Sequence, residues 1–193
     1  MSNERVGRPT DGSGTVGTIR DAIPDRDADA CLEIYAPFVS DTFVSFEERV
    51  PSVDEFRGRI LTTIATHPWL VLEVGGVVAG YAYASPHRSR AGYRWAADVS
   101  VYVATDHRRI GAGRRLYTEL FERLRQQGTY TVCAGVTLPN EASVGLHEAM
   151  GFEPVGGYKR IGWKAGAWRD VGWWQLKLIA ASDEAPPEPR PNR

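Results

Sequence analysis

The sequence predicts a mixed α/β fold, a β-sheet covered by helices on both faces. Three observations predict it. Helical and strand periodicities alternate through the middle of the chain, hairpin-forming strand pairs stand toward both ends, and a strand pattern runs through a basic glycine turn into a helix over 97–127. A length of 193 residues with 42% hydrophobic content suits one domain with a real core. That domain is expected over 16–181. Residues 1–15, rich in Gly, Ser, Thr and charge, and residues 182–193, with four prolines among charged residues, both read as disordered tails.

Taken in order, 16–21 alternates as a short first strand, and Asp25 reads as the cap of a helix that carries Ala28, Cys31, Leu32 and Tyr35 on one side and closes at Pro37. A capping box, Ser52-x-x-Glu55, opens a second helix with Phe56, Ile60, Leu61 and Ile64 at helical spacing, ended by His67-Pro68. Strands over 69–74 and 77–83 flank Gly75-Gly76, a tight hairpin turn. A long strand over 93–103 turns Asp98, Ser100 and Tyr102 one way and Val99, Val101 and Val103 the other. A helix over 113–127 buries Leu116, Leu120 and Leu124 and stops at Gly128. A strand over 130–138, a helix over 140–150 closed by Gly151, and two strands over 152–159 and 169–178 complete the domain. The unit around the glycine turn should be a right-handed crossover with parallel outer strands and a ligand site at their carboxyl ends.

Charge narrows the function classes. Lys+Arg 23 against Asp+Glu 24 leaves no global field to recruit nucleic acid or an anionic membrane, so any basic site is local. Cys31 and Cys133 show no paired spacing and no nearby His cluster, so no metal is expected and both read as small buried hydrophobes. No apolar run approaches the roughly 20 residues of a membrane span, and the first residues lack an apolar signal region, which predicts a cytoplasmic protein.

The local basic site is D-H-R-R-I-G-A-G-R at 106–114. Two glycines one residue apart let backbone approach a ligand closely, and the helix that follows offers unpaired N–H groups and a positive dipole end. Such a turn fits a pyrophosphate. Arg108-x-x-Gly111-x-Gly113 differs from both the P-loop and the dinucleotide fingerprint.

Four separated motifs carry a resemblance: Y-R-W-A-A-D-V-S-V-Y-V at 93–103, R-R-I-G-A-G-R at 108–114, L-P-N-E-A-S-V-G-L-H-E-A-M-G-F at 138–152, and K-A-G-A-W-R-D-V-G-W-W-Q at 164–175. Over about 18–178 the chain resembles the phosphinothricin N-acetyltransferase branch of the GNAT superfamily. The resemblance implies a central, mostly antiparallel twisted sheet of six or seven strands with a V-shaped splay at the cofactor site. It implies transfer of the acetyl group of acetyl-CoA to the free amine of a small amino-acid-like compound such as phosphinothricin, methionine sulfone or methionine sulfoximine. It also implies a homodimer whose final strands and the region of Trp163 approach the partner.

Carried onto this sequence, the resemblance has the N–H groups of Arg109, Ile110, Gly111, Ala112, Gly113 and Arg114 bind the pyrophosphate, with Arg108, Arg109 and Arg114 supplying charge. Backbone of Val101, Tyr102 and Val103 pairs with the pantetheine, and one amide there serves the developing oxyanion. Asn140 is both helix N-cap and pantetheine contact, and Ser143 a further contact to the cofactor arm. Both cysteines lie outside these motifs, so transfer should be direct, with no acyl-enzyme.

Asp98 stands where the family commonly has Glu as base. Its shorter side chain implies a bridging water or another proton path, and an Asp with an ordinary value of about 3.9 is a poor direct base. His147, four residues after Ser143 on the same helix face, is expected to assist proton transfer or to polarise the thioester region; the alternative is a packing role. Arg88, Arg90 and Tyr93 in the loop over 86–93 are expected to hold an anionic substrate, and Phe46 to line its pocket. Glu47 departs from the basic residue expected of a dedicated phosphinothricin-resistance enzyme. Two rival readings remain at this point: an acetyltransferase for peptide or protein amines, and a non-catalytic acetyl-CoA sensor.

Overall fold

The computed structural model describes residues 17–192, and the expected tail over 1–15 lies outside them. Seven strands form one sheet: β1 Thr18–Asp21, β2 Trp69–Val74, β3 Val77–Pro86, β4 Ala96–Val103, β5 Thr131–Leu138, β6 Glu153–Lys164 and β7 Ala167–Lys177. Four helices, α1 Pro24–Ser40, α2 Val53–Ile64, α3 Ala112–Gln127 and α4 Glu141–Ala149, complete it. The strand order is β1-β2-β3-β4-β5-β7-β6, antiparallel everywhere except β4 with β5. None of the described helices is long and apolar enough to cross a membrane.

Alternation along the strands builds two cores. Leu70, Leu72, Ala82, Ala84 and Val99 face Leu116, Leu120 and Leu124 of α3, whereas Trp69, Val71 and Tyr81 face Ala28, Cys31, Phe56 and Ile60 of α1 and α2. The hairpin between β2 and β3 turns through Gly75 (φ 59°) and Gly76 (φ 85°), the left-handed pair that matches strand twist. Ser52 Oγ accepts from Glu55 N while Glu55 Oε2 accepts from Ser52 N, so the capping box is formed.

Several boundaries differ from the sequence expectation, each for a local reason. The α1 N-cap is Ile23, without a side-chain cap, and Asp25 lies in the first turn, because Pro24 supplies the preset φ of a first helical residue. Pro37 does not close α1. Its missing N–H removes only one helical bond, and buried Val39 together with Phe38, edge-on to Tyr102 at 5.1 Å, holds the last turn. The strand expected from 93 begins at Ala96, because Ala91–Tyr93 close a 3-10 turn in which Tyr93 N donates to Arg90 O.

Residues 182–192 contain no helix or strand, as their prolines dictate, yet they are anchored rather than loose. Trp95 Nε1 donates to Pro187 O at 2.8 Å, Arg94 pairs with Glu188 at 2.7 Å, and Asn192 Nδ2 donates to the carbonyls of Ile64 and His67. Composition alone predicts a free tail here; two groups flanking the 86–93 loop and the end of α2 hold it instead.

Candidate active site

β4 and β5 pair only from Ala96–Thr131 to Asp98–Cys133. Beyond that rung β5 continues its bonds to β7 as far as Leu138, while β4 stays with β3. The two parallel strands therefore part at Asp98, and alternate backbone groups of β4 face a gap instead of a neighbour. The gap widens into a cleft of about 900 Å³ lined by Val99 to Val103, Ala134 to Thr137, Phe38, Thr42 and Val44, and by the starts of α3 and α4.

The glycine turn forms the mouth of this cleft. Gly111 caps α3 at φ 79°, a left-handed conformation that strains any residue with a Cβ, and Arg109 adopts φ 65° beside it. Arg115 N makes the first helical bond, to Gly111 O. Among the described residues no acceptor engages the N–H groups of residues 109–114, so a run of donors points outward at the positive end of α3. Gly113 packs tightly on α4: a Cβ there would lie 3.1 Å from Leu146 Cδ2. The Arg108 guanidinium lies 5.5 Å from the Phe38 ring centre, and Arg114 donates to Ala149 O at 3.3 Å. Val101, Tyr102, Val103, Arg108, Arg109, Gly111, Ala112, Gly113, Arg114, Asn140 and Ser143 all line the cleft. Ile110 does not; its side chain is exposed.

Asn140 is the α4 N-cap, its Oδ1 accepting from Ser143 N at 3.1 Å. His147 is buried, with both ring nitrogens engaged. Nδ1 donates to Ser143 O at 2.7 Å, so Nε2 is the acceptor and receives the Tyr117 hydroxyl at 3.0 Å. Burial pushes the imidazole below its ordinary value, against the opposing bond to the Ser143 carbonyl. His147 thus has no free nitrogen to offer the cleft; the polar atom beside it on the cleft wall is Tyr117 Oη. Sequence reasoning missed Tyr117, which follows Gly113 by four residues and so shares its helix face, but reads as core among Leu116 and Leu120.

Asp98 sits on the last paired rung, where the strands part. Its Oδ1 accepts from His87 Nδ1 at 2.6 Å, and burial raises its carboxyl while His87 pulls it back down. His87, a second omission of the sequence reading, leaves the end of β3 one residue past Pro86 and lies against Tyr93 and Trp173, both edge-on with ring centres 5.9 and 6.0 Å away. Cys133 completes three donor atoms within 4.8 Å, a convergence that linear spacing does not reveal. Ligand atoms on a tetrahedral zinc stand roughly 3.3 Å apart, given bonds of about 2.0 Å. The 2.6 Å contact is a hydrogen bond, and burial pushes the Cys133 thiol up to about 11.

The substrate-loop residues are only partly gathered. Arg88 is turned over the Trp173 ring at 5.9 Å and Tyr93 touches His87, whereas the Arg90 side chain is exposed and has no hydrogen-bond partner among the described residues. Phe46 stands apart, its ring directly over Gly162 of β6. Beside it Glu47 is committed to structure, accepting two bonds from Arg59 and one from the Tyr35 hydroxyl, and Arg59 foremost holds its carboxyl low.

Residues 21–173 match the family model described as an acetyltransferase (GNAT) domain. The chain is 39% identical over 167 residues to the phosphinothricin N-acetyltransferase of Streptomyces viridochromogenes, covering 86% of this chain and 88% of that one. It is 35% identical over 156 residues to the L-methionine sulfoximine/L-methionine sulfone acetyltransferase of Salmonella typhimurium, covering 79% and 90%. The solved structure of a GNAT superfamily phosphinothricin acetyltransferase from Sinorhizobium meliloti, in complex with acetyl-CoA, matches with a TM-score of 0.84 at 34% identity, over 90% of this chain and 94% of that one. A sheet whose one parallel pair parts above a glycine turn, together with these matches, places the chain in the GNAT acetyltransferase family, in the phosphinothricin N-acetyltransferase branch, as an acyltransferase.

Proposed function

We propose that the protein transfers the acetyl group of acetyl-CoA directly to the free amine of a small amino-acid-like substrate of the phosphinothricin, methionine sulfone or methionine sulfoximine type. The observation that carries this reading is the pairing of an unsatisfied donor run at residues 109–114 with a strand gap that begins beyond the rung carrying the hydrogen-bonded pair His87 and Asp98. The donors and the Arg108, Arg109 and Arg114 guanidiniums suit a pyrophosphate, and the open edge of Val101 to Val103 suits the amides of a pantetheine arm. A thioester carried by that arm would lie toward Asp98.

In this mechanism the residues where β4 and β5 part take a proton from the substrate ammonium, and a β4 amide steadies the oxyanion as the amine attacks. Tyr117, its own proton given to His147, presents lone pairs to the cleft and positions the cofactor arm. Cys133 stays protonated and Cys31 is buried on the α1 face, its thiol pushed up to about 12 by burial, so a direct ternary route is favoured over an acyl-enzyme. Arg88 and Tyr93, gathered around Trp173 and His87, with Arg90 on the same loop, would receive the anionic end of the substrate.

The reading includes a homodimer. Val155, Tyr158, Ile161 and Trp163 are exposed along β6, the outermost strand, and Trp163 packs on Trp168 at 5.5 Å at the hairpin tip. An uncovered apolar edge strand of that length favours a second copy. Two-substrate initial rates test the catalytic route: intersecting patterns are expected with L-methionine sulfone, and parallel patterns with a trapped acetyl-protein would overturn direct transfer.

A further inference from the structure

Resting on the acetyltransferase reading, we propose that His87 takes the proton from the attacking amine and that Asp98 is its positioning partner, so that this chain uses a histidine–carboxylate pair where a lone carboxylate would otherwise serve.

Geometry comes first. Asp98 is the last β4 residue paired to β5, and it faces Ser85 on β3, two residues before His87. Both side chains therefore gather at the last rung before the strands part. A carboxylate oxygen accepts, so the 2.6 Å contact places a hydrogen on Nδ1, and in the neutral ring the lone pair is then on Nε2. Among the described residues Nε2 has no hydrogen-bond partner, yet it is not one of the buried polar atoms left unsatisfied, so it reaches accessible space. The ring itself is held by Tyr93 and Trp173.

The two groups differ in chemistry: an imidazole nitrogen with a free lone pair accepts a proton from an amine more readily than a carboxylate already bonded to that ring. The ring also restores the reach that Asp98 lacks. Asp98 steadies the imidazolium that forms, which is the division of labour in a nucleophile-activating triad. Groups facing the pair are Cys133 from β5, Tyr83 from β3, and Arg88 and Tyr93 from the loop; Arg88 is the one fixed positive charge among them. The balance is complete. One ammonium proton goes to His87 Nε2, the amine lone pair forms the C–N bond as the carbonyl electrons move to oxygen, and the C–S bond breaks on collapse. The second nitrogen proton goes to the thiolate, and His87 returns its own to solvent.

The test compares wild type with His87→Gln, His87→Ala and Asp98→Asn, in pH profiles of kcat/KM, in acetyl-CoA affinity, and in the imidazole proton NMR spectrum. His87→Gln should lower kcat about 100-fold with acetyl-CoA affinity within about threefold, added imidazole should restore part of the activity of His87→Ala, and Asp98→Asn should lose about tenfold. The acid limb of the wild-type profile should be altered in His87→Gln. An unchanged rate and acid limb in His87→Gln overturns the proposal. The spectrum decides independently of turnover. A strongly downfield Nδ1 proton that disappears in both His87→Gln and Asp98→Asn is expected, and its absence in wild type overturns the pair even if no amine proves to be a substrate.

Discussion

Tyr117 Oη lies 3.0 Å from His147 Nε2, and His147 Nδ1 in turn donates to the Ser143 carbonyl at 2.7 Å. The hydroxyl proton is therefore directed at His147, and the Tyr117 oxygen keeps its lone pairs as an acceptor. Tyr117→Phe should lower kcat about tenfold while leaving His147 Nε2 buried without a partner, a cost of about 1–3 kcal/mol. Steady-state kinetics and thermal unfolding measure the two effects on one sample; an unchanged KM for acetyl-CoA together with an unchanged kcat would remove Tyr117 from the cofactor wall.

At the mouth, Gly111 holds φ 79° and starts the free donor run. Gly111→Ala should cost about 1 kcal/mol in backbone strain and weaken acetyl-CoA binding about tenfold, read by calorimetry. Gly58, in the middle of α2 with open space around its Cα, is the control. There the same change should stabilise by about 0.5–1 kcal/mol and leave binding alone.

Far from the cleft, Arg20 grips buried Asp27 with bonds of 2.7 and 2.8 Å, and Ile23 N donates to the same carboxylate. Burial alone would raise the Asp27 carboxyl, but Arg20 and the Ile23 amide outweigh it, so its value lies below the ordinary one. A carboxyl lowered on folding contributes stability that is full above the unfolded value of about 3.9 and is lost as pH falls through the lower folded value. Asp27→Asn should cost about 2–4 kcal/mol near neutral pH and flatten the acid side of the stability curve, measured by denaturant unfolding from pH 7 to 3.

On the outer strand, Ile161 and Trp163 are more than half exposed. Ile161→Asp with Trp163→Asp should convert a dimer to a monomer in light scattering without loss of the circular dichroism spectrum. A wild-type monomer at the same concentration would contradict the homodimer.

The periodic parts of the fold were legible because local pattern and tertiary role agree: the capping box at Ser52, the Gly75-Gly76 turn, and the Leu116, Leu120, Leu124 stripe all stand where the pattern puts them. Boundaries failed where long-range contacts override a local signal, as at Pro37, carried through by Phe38 on Tyr102, and in the tail, pinned by Trp95 and Ile64. The free N–H run at residues 109–114 was legible because glycine spacing fixes where N–H groups point. Side-chain pairs were not. His87 meets Asp98 across eleven positions and Tyr117 meets His147 across thirty, and no single-sequence pattern encodes either contact.

The central claim is tested most directly by incubating the protein with acetyl-CoA and L-methionine sulfone, phosphinothricin, common amino acids or a peptide, and identifying the acetylated species by mass spectrometry alongside free thiol. N-acetyl methionine sulfone or N-acetyl phosphinothricin is expected in amounts matching the thiol, with little acetyl-peptide. Tight acetyl-CoA binding with no acetylated amine from any member of the panel, or acetylation confined to the peptide, would contradict it.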